Sequence, residues 1–328
     1  MKKHLWAVCY GFALTAFTLY IILDTFVLSK EYSADGARMN TAMFDGIPRS
    51  VISESRAEQN SDTAHTAHTE ESAAFDNSGS YGAENEQTAD VSDEGGENII
   101  ISVTEYYEYN TRIYVADVRL SSAVYLKTAF AYDVYGKNVT AKTSEIAAAN
   151  GALLAVNGDF YGAQERGYVI RNGIIYRDVP NDNDVLCVYA NGTFEIVSAY
   201  EYSAQELLSR GVWQAFSFGP GLVENGQVAV TKNQEVGKAM ASNPRTAIGV
   251  ISANRYLLVV SDGRTSESAG LSLYELATFM QSLGAQTAYN LDGGGSSAMY
   301  YNGEIINNPT TSGKSIKERE VSDIVYIG

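Results

Sequence analysis

At Ile99 the chain changes character, and this break constrains its fold more than any single motif. Residues 31–98 are rich in Ser, Thr, Ala, Glu, Asp, Asn and Gly and show almost no aliphatic periodicity; the run from Glu58 to Glu71 reads Glu-Gln-Asn-Ser-Asp-Thr-Ala-His-Thr-Ala-His-Thr-Glu-Glu. A segment of this kind buries too little apolar surface to offset the entropy of ordering it, so the sequence predicts a disordered, self-repelling linker. It carries three Arg against fifteen acidic residues and so holds most of the net charge of −16. An acidic balance of this size argues against nucleic acid or an anionic membrane surface as a partner. From Ile99 onward, apolar and aromatic residues alternate in short runs bounded by Gly, Asn and Pro, the pattern of strands and turns. Three units follow: 1–30, the acidic linker 31–98, and a folded domain over 99–328.

The first unit opens with Lys2 and Lys3 and continues as an uncharged apolar run from Leu5 to Leu23. About 19 such residues approach the roughly 20 that cross a bilayer and exceed the roughly 7–15 of a cleaved signal core. The expectation is a single transmembrane signal anchor with the lysines in the cytoplasm and everything after Lys30 extracytoplasmic. A cleaved signal peptide is the alternative.

Two cysteines, Cys9 and Cys187, provide no disulfide framework. The three histidines, His4, His65 and His68, all precede the folded domain. Catalysis there must use carboxylates, Arg, Lys, Tyr or hydroxyls, and no cofactor or His-based metal site is expected.

Within the domain, Ile99–Glu108 and Arg112–Leu120 read as a hairpin around Tyr109-Asn110, with a third strand over Ala123–Tyr132. Asn172-Gly173 and Asn191-Gly192 signal further two-residue turns. Ser272-Leu-Tyr-Glu275 is a capping box opening a helix whose Leu273, Leu276, Ala277, Met280 and Leu283 share one face. Shorter helices are expected over Thr143–Asn150 and Ala204–Ser209. Many strands, few helices and no regular βα alternation predict an α+β fold with a mixed, mostly antiparallel sheet.

Four loops repeat one pattern, a strand ending in polar residues and glycine: Asn157-Gly158-Asp159, Asn243-Pro-Arg245-Thr246, Ser261-Asp262-Gly-Arg264 and Asn290-Leu-Asp292-Gly293-Gly294-Gly295-Ser296. Three successive glycines cost too much chain entropy for an ordinary turn, and they let backbone N–H groups converge on an anion. Arg grips phosphate bidentately, and carboxylates serve an anomeric carbon, so the set suits an anionic sugar. Each loop also has a plainer reading. Asp262-Gly263 is a common turn, Asn157 and Asp159 form Asx-turns, and Arg245 enters an apolar strand as either a ligand grip or a buried charge with a partner.

Six motifs in order carry a resemblance: Val156-Asn-Gly-Asp-Phe-Tyr161, Phe218-Gly-Pro-Gly-Leu-Val-Glu-Asn-Gly226, Asn243-Pro-Arg-Thr-Ala-Ile-Gly249, Ser261-Asp-Gly-Arg264, Gly270-Leu-Ser-Leu-Tyr-Glu-Leu-Ala277 and Asn290-Leu-Asp-Gly-Gly-Gly-Ser-Ser297. From about Leu153 to the C-terminus the chain resembles the phosphodiester glycosidase family. The resemblance implies an α+β domain with a surface cavity at its strand ends lined by these motifs, and hydrolysis of a sugar-1-phosphodiester at the glycosidic bond. It also implies that Asp159 and Asp292 act at the anomeric carbon, that Arg245, Arg264 and the N–H groups of Gly293–Gly295 hold phosphate, and that Asn157 and Asn290 orient hydroxyls. Gly158, Thr246, Asp262 and Ser296 complete the expected substrate-binding set. Two other readings remain open at this level. One is a non-catalytic, membrane-anchored module that binds phosphodiester-linked glycans; the other is a hydrolase in which Asp159, Asp262 and Asp292 hold Mg²⁺ or Ca²⁺.

Overall fold

The computed structural model describes residues 5–32, 83–92, 98–235 and 242–328, so most of the predicted linker lies outside the described residues. Among the described residues three larger sheets build the domain and a fourth has two strands, and every strand pair is antiparallel. The largest has eight strands and centres on Thr287–Asn290, Arg245–Ser252, Arg255–Ser261, Thr111–Leu120 and Asn98–Glu108. A five-stranded sheet contains Asp184–Tyr189, Val212–Phe216 and Val169–Arg171. A second five-stranded sheet contains Met299–Tyr301, Leu154–Asn157, Asp323–Ile327 and Lys127–Phe130.

Period-two alternation sorts the side chains of these strands. Ile101, Val118, Ile248, Leu258 and Tyr289 point from the eight-stranded sheet into one core, where they meet Leu186 and Phe216 of the second sheet and Val156, Met299 and Val325 of the third. Their neighbours Ala247, Leu257 and Val259 face the other way, onto Leu276, Phe279 and Met280 of the helix Leu273–Ser282. Ser272 caps that helix as predicted: its Oγ accepts from Glu275 N at 3.2 Å, and Glu275 Oε2 accepts from Ser272 N at 2.8 Å. Thr143–Ala149 and Ala204–Ser209 cover the outer faces of the other two sheets. The fold is therefore α+β with mostly antiparallel sheets and few helices.

The predicted hairpin forms between Asn98–Glu108 and Thr111–Leu120, with Tyr109 and Asn110 at φ 52° and 59°. Two left-handed residues in succession give the turn whose twist matches the flanking strands. The third strand is shorter than predicted, Lys127–Phe130, because Ser122 caps a 3₁₀ turn over Ala123–Tyr125.

Two features correct the boundary at Ile99. Ala83–Ser92 is a ten-residue strand on the edge of the eight-stranded sheet, with Ala83 opposite Tyr106 and Ser92 opposite Asn98. Main-chain pairing onto an edge needs no apolar face, so a polar sequence accepts it. Further upstream, Lys30–Glu31 pairs with Gly136–Lys137, and Tyr32 N–H donates to Tyr135 O at 2.8 Å. A Cβ at Gly136 would overlap Lys30 O, so glycine permits this contact. Both ends of the predicted linker are thus tied to the domain. The N-terminal apolar run forms a helix over Leu5–Phe26. Among the described residues no helix is long and apolar enough to cross a membrane.

Candidate active site

Strand ends of the eight-stranded sheet and of the sheet containing Leu154–Asn157 meet at one place, joined by main-chain hydrogen bonds, and the third sheet reaches it through the Arg171 side chain. Gly158 N–H donates to Asp323 O at 2.9 Å, Asp292 N–H to Gly158 O at 3.2 Å, and Leu291 N–H to Thr246 O at 2.9 Å. Asn157 is fully buried at this junction. Its Nδ2 donates to Asp292 O at 2.6 Å, and its Oδ1 accepts from Thr246 Oγ1 at 2.7 Å and Ala298 N at 3.3 Å. Asn157 and Thr246 therefore brace the loops from behind, where the sequence suggested direct contact with substrate. Asn290 is buried too, its Nδ2 donating to Gly219 O at 2.8 Å while its Oδ1 has no hydrogen-bond partner. A buried acceptor left in that state costs stability.

The glycines of the 293–295 run serve close approach. A Cβ on Gly295 would overlap Thr311 Oγ1, and one on Gly294, itself at φ 62°, would lie 2.9 Å from Arg264 Nη2. The loop closes as a 3₁₀ turn over Gly294–Ser296, with Gly294 N–H donating to Pro244 O at 2.8 Å and Ser296 N–H to Gly293 O at 3.3 Å. Of the Gly293–Gly295 N–H groups expected to hold phosphate, that of Gly294 is thus bonded to the protein. The turn satisfies some of its own donors and instead lets two guanidinium groups lie against it.

Arg319 is the first of these. Its Nη2 donates to Asp292 Oδ2 at 3.0 Å and its Nε to Ser296 Oγ at 2.9 Å, yet 41% of its side chain is exposed. It lines a cleft of about 580 Å³ together with Lys142, Thr311 and Lys317. Burial raises the pKa of Asp292 above the ordinary carboxylate value, against the pull of Arg319, Ser296 and the Gly293 N–H. Arg264 is the second. Its Nε and Nη2 donate to Asn243 Oδ1 at 3.1 and 2.8 Å and its Nη1 to Thr311 O, all neutral acceptors, and none of the ion pairs among the described residues includes it. Its pKa is pushed down by burial and then by the Arg319 charge. Of these two neighbouring cations only Arg319 is paired with a carboxylate, and the uncompensated positive charge favours an anion beside them.

The other predicted charges are engaged elsewhere. Asp159 is 1% exposed; its Oδ1 accepts from Arg171 Nη2 at 2.8 Å and its Oδ2 from Ser217 N at 3.0 Å. Arg171 also donates from Nε to Asp323 Oδ2 at 2.9 Å and stacks 4.3 Å from the Phe216 ring centroid. One cation between two fully buried carboxylates leaves an excess negative charge. Burial accordingly raises the pKa of Asp323 to about 7 despite the Arg171 contact. Asp262 accepts from Asn308 N at 2.8 Å, Asn308 Nδ2 at 2.9 Å and Asn307 Nδ2 at 3.2 Å, which holds the following loop in place. Arg245 is 3% exposed, with Nη2 2.7 Å from Glu235 Oε2 and Nε donating to Leu271 O at 2.9 Å. Unlike Arg264 it is buried and ion-paired, which matches the buried-charge reading of this residue. Asp159, Asp262 and Asp292 each have different partners, and among the described residues no group of three His, Cys, Asp or Glu side chains could hold a metal ion.

Arg319, Arg171 and Asp323 were absent from the predicted set. Arg171 and Asp323 sit in apolar strands, Val169–Arg171 and Asp323–Ile327, and a charge within a buried strand signals a partner. Arg319 lies in the charged stretch Lys314–Glu320, where nothing local distinguishes it from solvated neighbours.

The chain is similar to several known proteins. Mouse and human N-acetylglucosamine-1-phosphodiester alpha-N-acetylglucosaminidase are each 32% identical to the chain, over 109 and 117 residues, or 32% of this chain and 21% of theirs. The SPbeta prophage-derived uncharacterized protein YomE of Bacillus subtilis is 29% identical over 167 residues, 50% of this chain and 25% of its own length. The matches thus span a quarter or less of these relatives. Among solved structures, the zebrafish N-acetylglucosamine-1-phosphodiester alpha-N-acetylglucosaminidase catalytic domain, auto-inhibited by its pro-peptide, shares the fold with a TM-score of 0.54 and 20% identity over 92% of this chain and 96% of that one. A hypothetical protein from Synechocystis does so with a TM-score of 0.55 and 15% identity over 74% and 63%. The sequence model for phosphodiester glycosidases matches residues 150–328, more than half of the chain, which belongs to that family.

Proposed function

We propose that the chain is an extracytoplasmic hydrolase that cleaves the glycosidic bond of a sugar-1-phosphodiester in a cell-envelope or exopolysaccharide glycan. The observation that carries this reading is the pairing of buried Asp292 with half-exposed Arg319, which lines a cleft, next to a second arginine, Arg264, that has no ion-pair partner among the described residues. The names of the mouse and human relatives describe an enzyme acting on an N-acetylglucosamine-1-phosphodiester, the same bond class.

In this reading Arg319 and Arg264 take the phosphate oxygens and stabilise the charge that grows on them as the C1–O bond breaks. The phosphate monoester leaves with that electron pair. Water adds at C1 and gives its proton to Asp292, whose raised pKa suits a base. Asp159, buried with Arg171, holds Gly158 and the Asp292 loop in place rather than touching the sugar. The extracytoplasmic location rests on the sequence alone, on Lys2 and Lys3 before the apolar run Leu5–Leu23.

Incubating the full chain with a sugar-1-phosphodiester, with and without chelator, tests the reaction. Release of reducing sugar in both arms is expected. Binding without release would identify a glycan-binding module, and loss of release with chelator would identify a metal-dependent hydrolase. Protease protection of the folded domain in intact cells would overturn the location.

A further inference from the structure

Phe160 differs from the aromatic residues beside it. Phe130, Tyr135, Tyr161 and Tyr176 pack ring against ring, with Tyr135 stacked on Tyr161 at 5.2 Å, while Phe160 is 42% exposed. Its backbone is left-handed, φ 65° and ψ 24°, a conformation that strains a bulky residue and that glycine adopts freely. The fold requires neither feature, since glycine would make the same turn without strain and a polar residue would suit the exposed surface. Tyr132 also combines a left-handed backbone with exposure, but Phe160 does so on the loop that carries Gly158 and Asp159, and at that place the two costs point to function. Phe160 follows Asp159 and lies two residues, at most about 8 Å, after Gly158, whose carbonyl accepts from Asp292 N–H.

Resting on the reading of this site as one for a sugar-1-phosphodiester, we infer that Phe160 is the stacking platform for the pyranose ring whose C1 faces Asp292. A pyranose presents a face of C–H groups that packs on an aromatic ring. The platform would sort substrates by their sugar, while Arg264 and Arg319 recognise the phosphate common to all of them. Left-handed backbone at Phe160 holds the ring outward, where its packed neighbours cannot serve.

Calorimetric titration of the full chain with N-acetylglucosamine-1-phosphate and with inorganic phosphate tests the assignment. The wild type should bind the sugar phosphate about 10- to 100-fold more tightly than phosphate, the range expected for covering a phenyl ring. Phe160→Ala and Phe160→Gly should lose that margin and keep phosphate affinity, and Phe160→Trp should retain it. Phe160→Gly should also melt at a higher temperature than the wild type, because the strain is relieved. A margin that survives in Phe160→Ala overturns the platform, and so does a lower melting temperature in Phe160→Gly, which would reveal a packing role. Wild-type protein that binds both ligands equally overturns the platform but leaves the phosphate site standing. Wild-type protein that binds neither overturns the functional reading as well.

Discussion

The arginines of the site divide by what their guanidinium groups face. Arg245 is enclosed by Glu235 and Leu271 O, and burial lowers its pKa, whereas Arg319 holds Asp292 from a half-exposed position. Exchange for lysine keeps each charge and removes each fork. Arg245→Lys should cost about 1–3 kcal/mol of stability through the buried acceptors it leaves under-bonded, with turnover per folded molecule nearly intact. Arg319→Lys should do the reverse, lowering kcat/KM by about 2–4 kcal/mol of transition-state stabilisation at a nearly unchanged melting temperature. Measuring both quantities on both variants decides the matter, and an inactive but stable Arg245→Lys protein would return the phosphate grip to Arg245. Asp323 provides the pH counterpart. Its pKa in the fold is raised from 3.8 to about 7 by burial, so the protonated form contributes stability that is complete below 3.8 and is lost as pH rises through 7. The melting temperature should fall as pH is raised through neutrality, and Asp323→Asn, which leaves Arg171 paired with Asp159, should flatten that slope.

At the level of elements, the edge strand Ala83–Ser92 alters what a minimal domain contains. It covers the free edge of Asn98–Glu108 along its length. A fragment beginning near Gly95 would expose that edge, whose inward residues Ile99, Ile101 and Val103 belong to the core. Such a fragment should self-associate, and one beginning near Ser80 should elute as a monomer from a sizing column; equal behaviour of the two would make the edge strand dispensable. The sequence could not announce this strand, because its stabilisation comes from main-chain pairing and its side chains carry no alternation. Hairpins and caps were legible for the opposite reason. Tyr109-Asn110 and the Ser272–Glu275 box are set by local chemistry, and both formed where the residues placed them. In the site, the polar strand ends were legible as a group, since each is punctuated by glycine or proline. Their division into supports such as Asn157 and Asp159 and the Asp292–Arg319 pair, which reaches the cleft through Arg319, was not, because it depends on how three sheets meet.

The site draws on the whole molecule. Asn157 and Asp323 belong to one sheet, Arg171 to another and Arg245 to the third, and Gly158 links Asp323 to Asp292 across the junction between two of them. The same three sheets share one core, so no sheet can separate without exposing the inner faces of the others. The site should therefore have no independent stability, and the geometry around Asp292 should persist only as long as the core does. In a urea titration, loss of activity should coincide with the loss of near-ultraviolet circular dichroism from the buried tyrosines, including Tyr161, Tyr256 and Tyr289. Phosphate that binds only the folded state at about 100 times its dissociation constant should shift both transitions together by about 2.7 kcal/mol. Arg319→Lys should reduce that shift while leaving the two transitions coincident. Activity that disappears well before the circular dichroism signal would show that the Gly293–Ser296 loop opens on its own, and the site would then be a local structure rather than a product of the joined sheets.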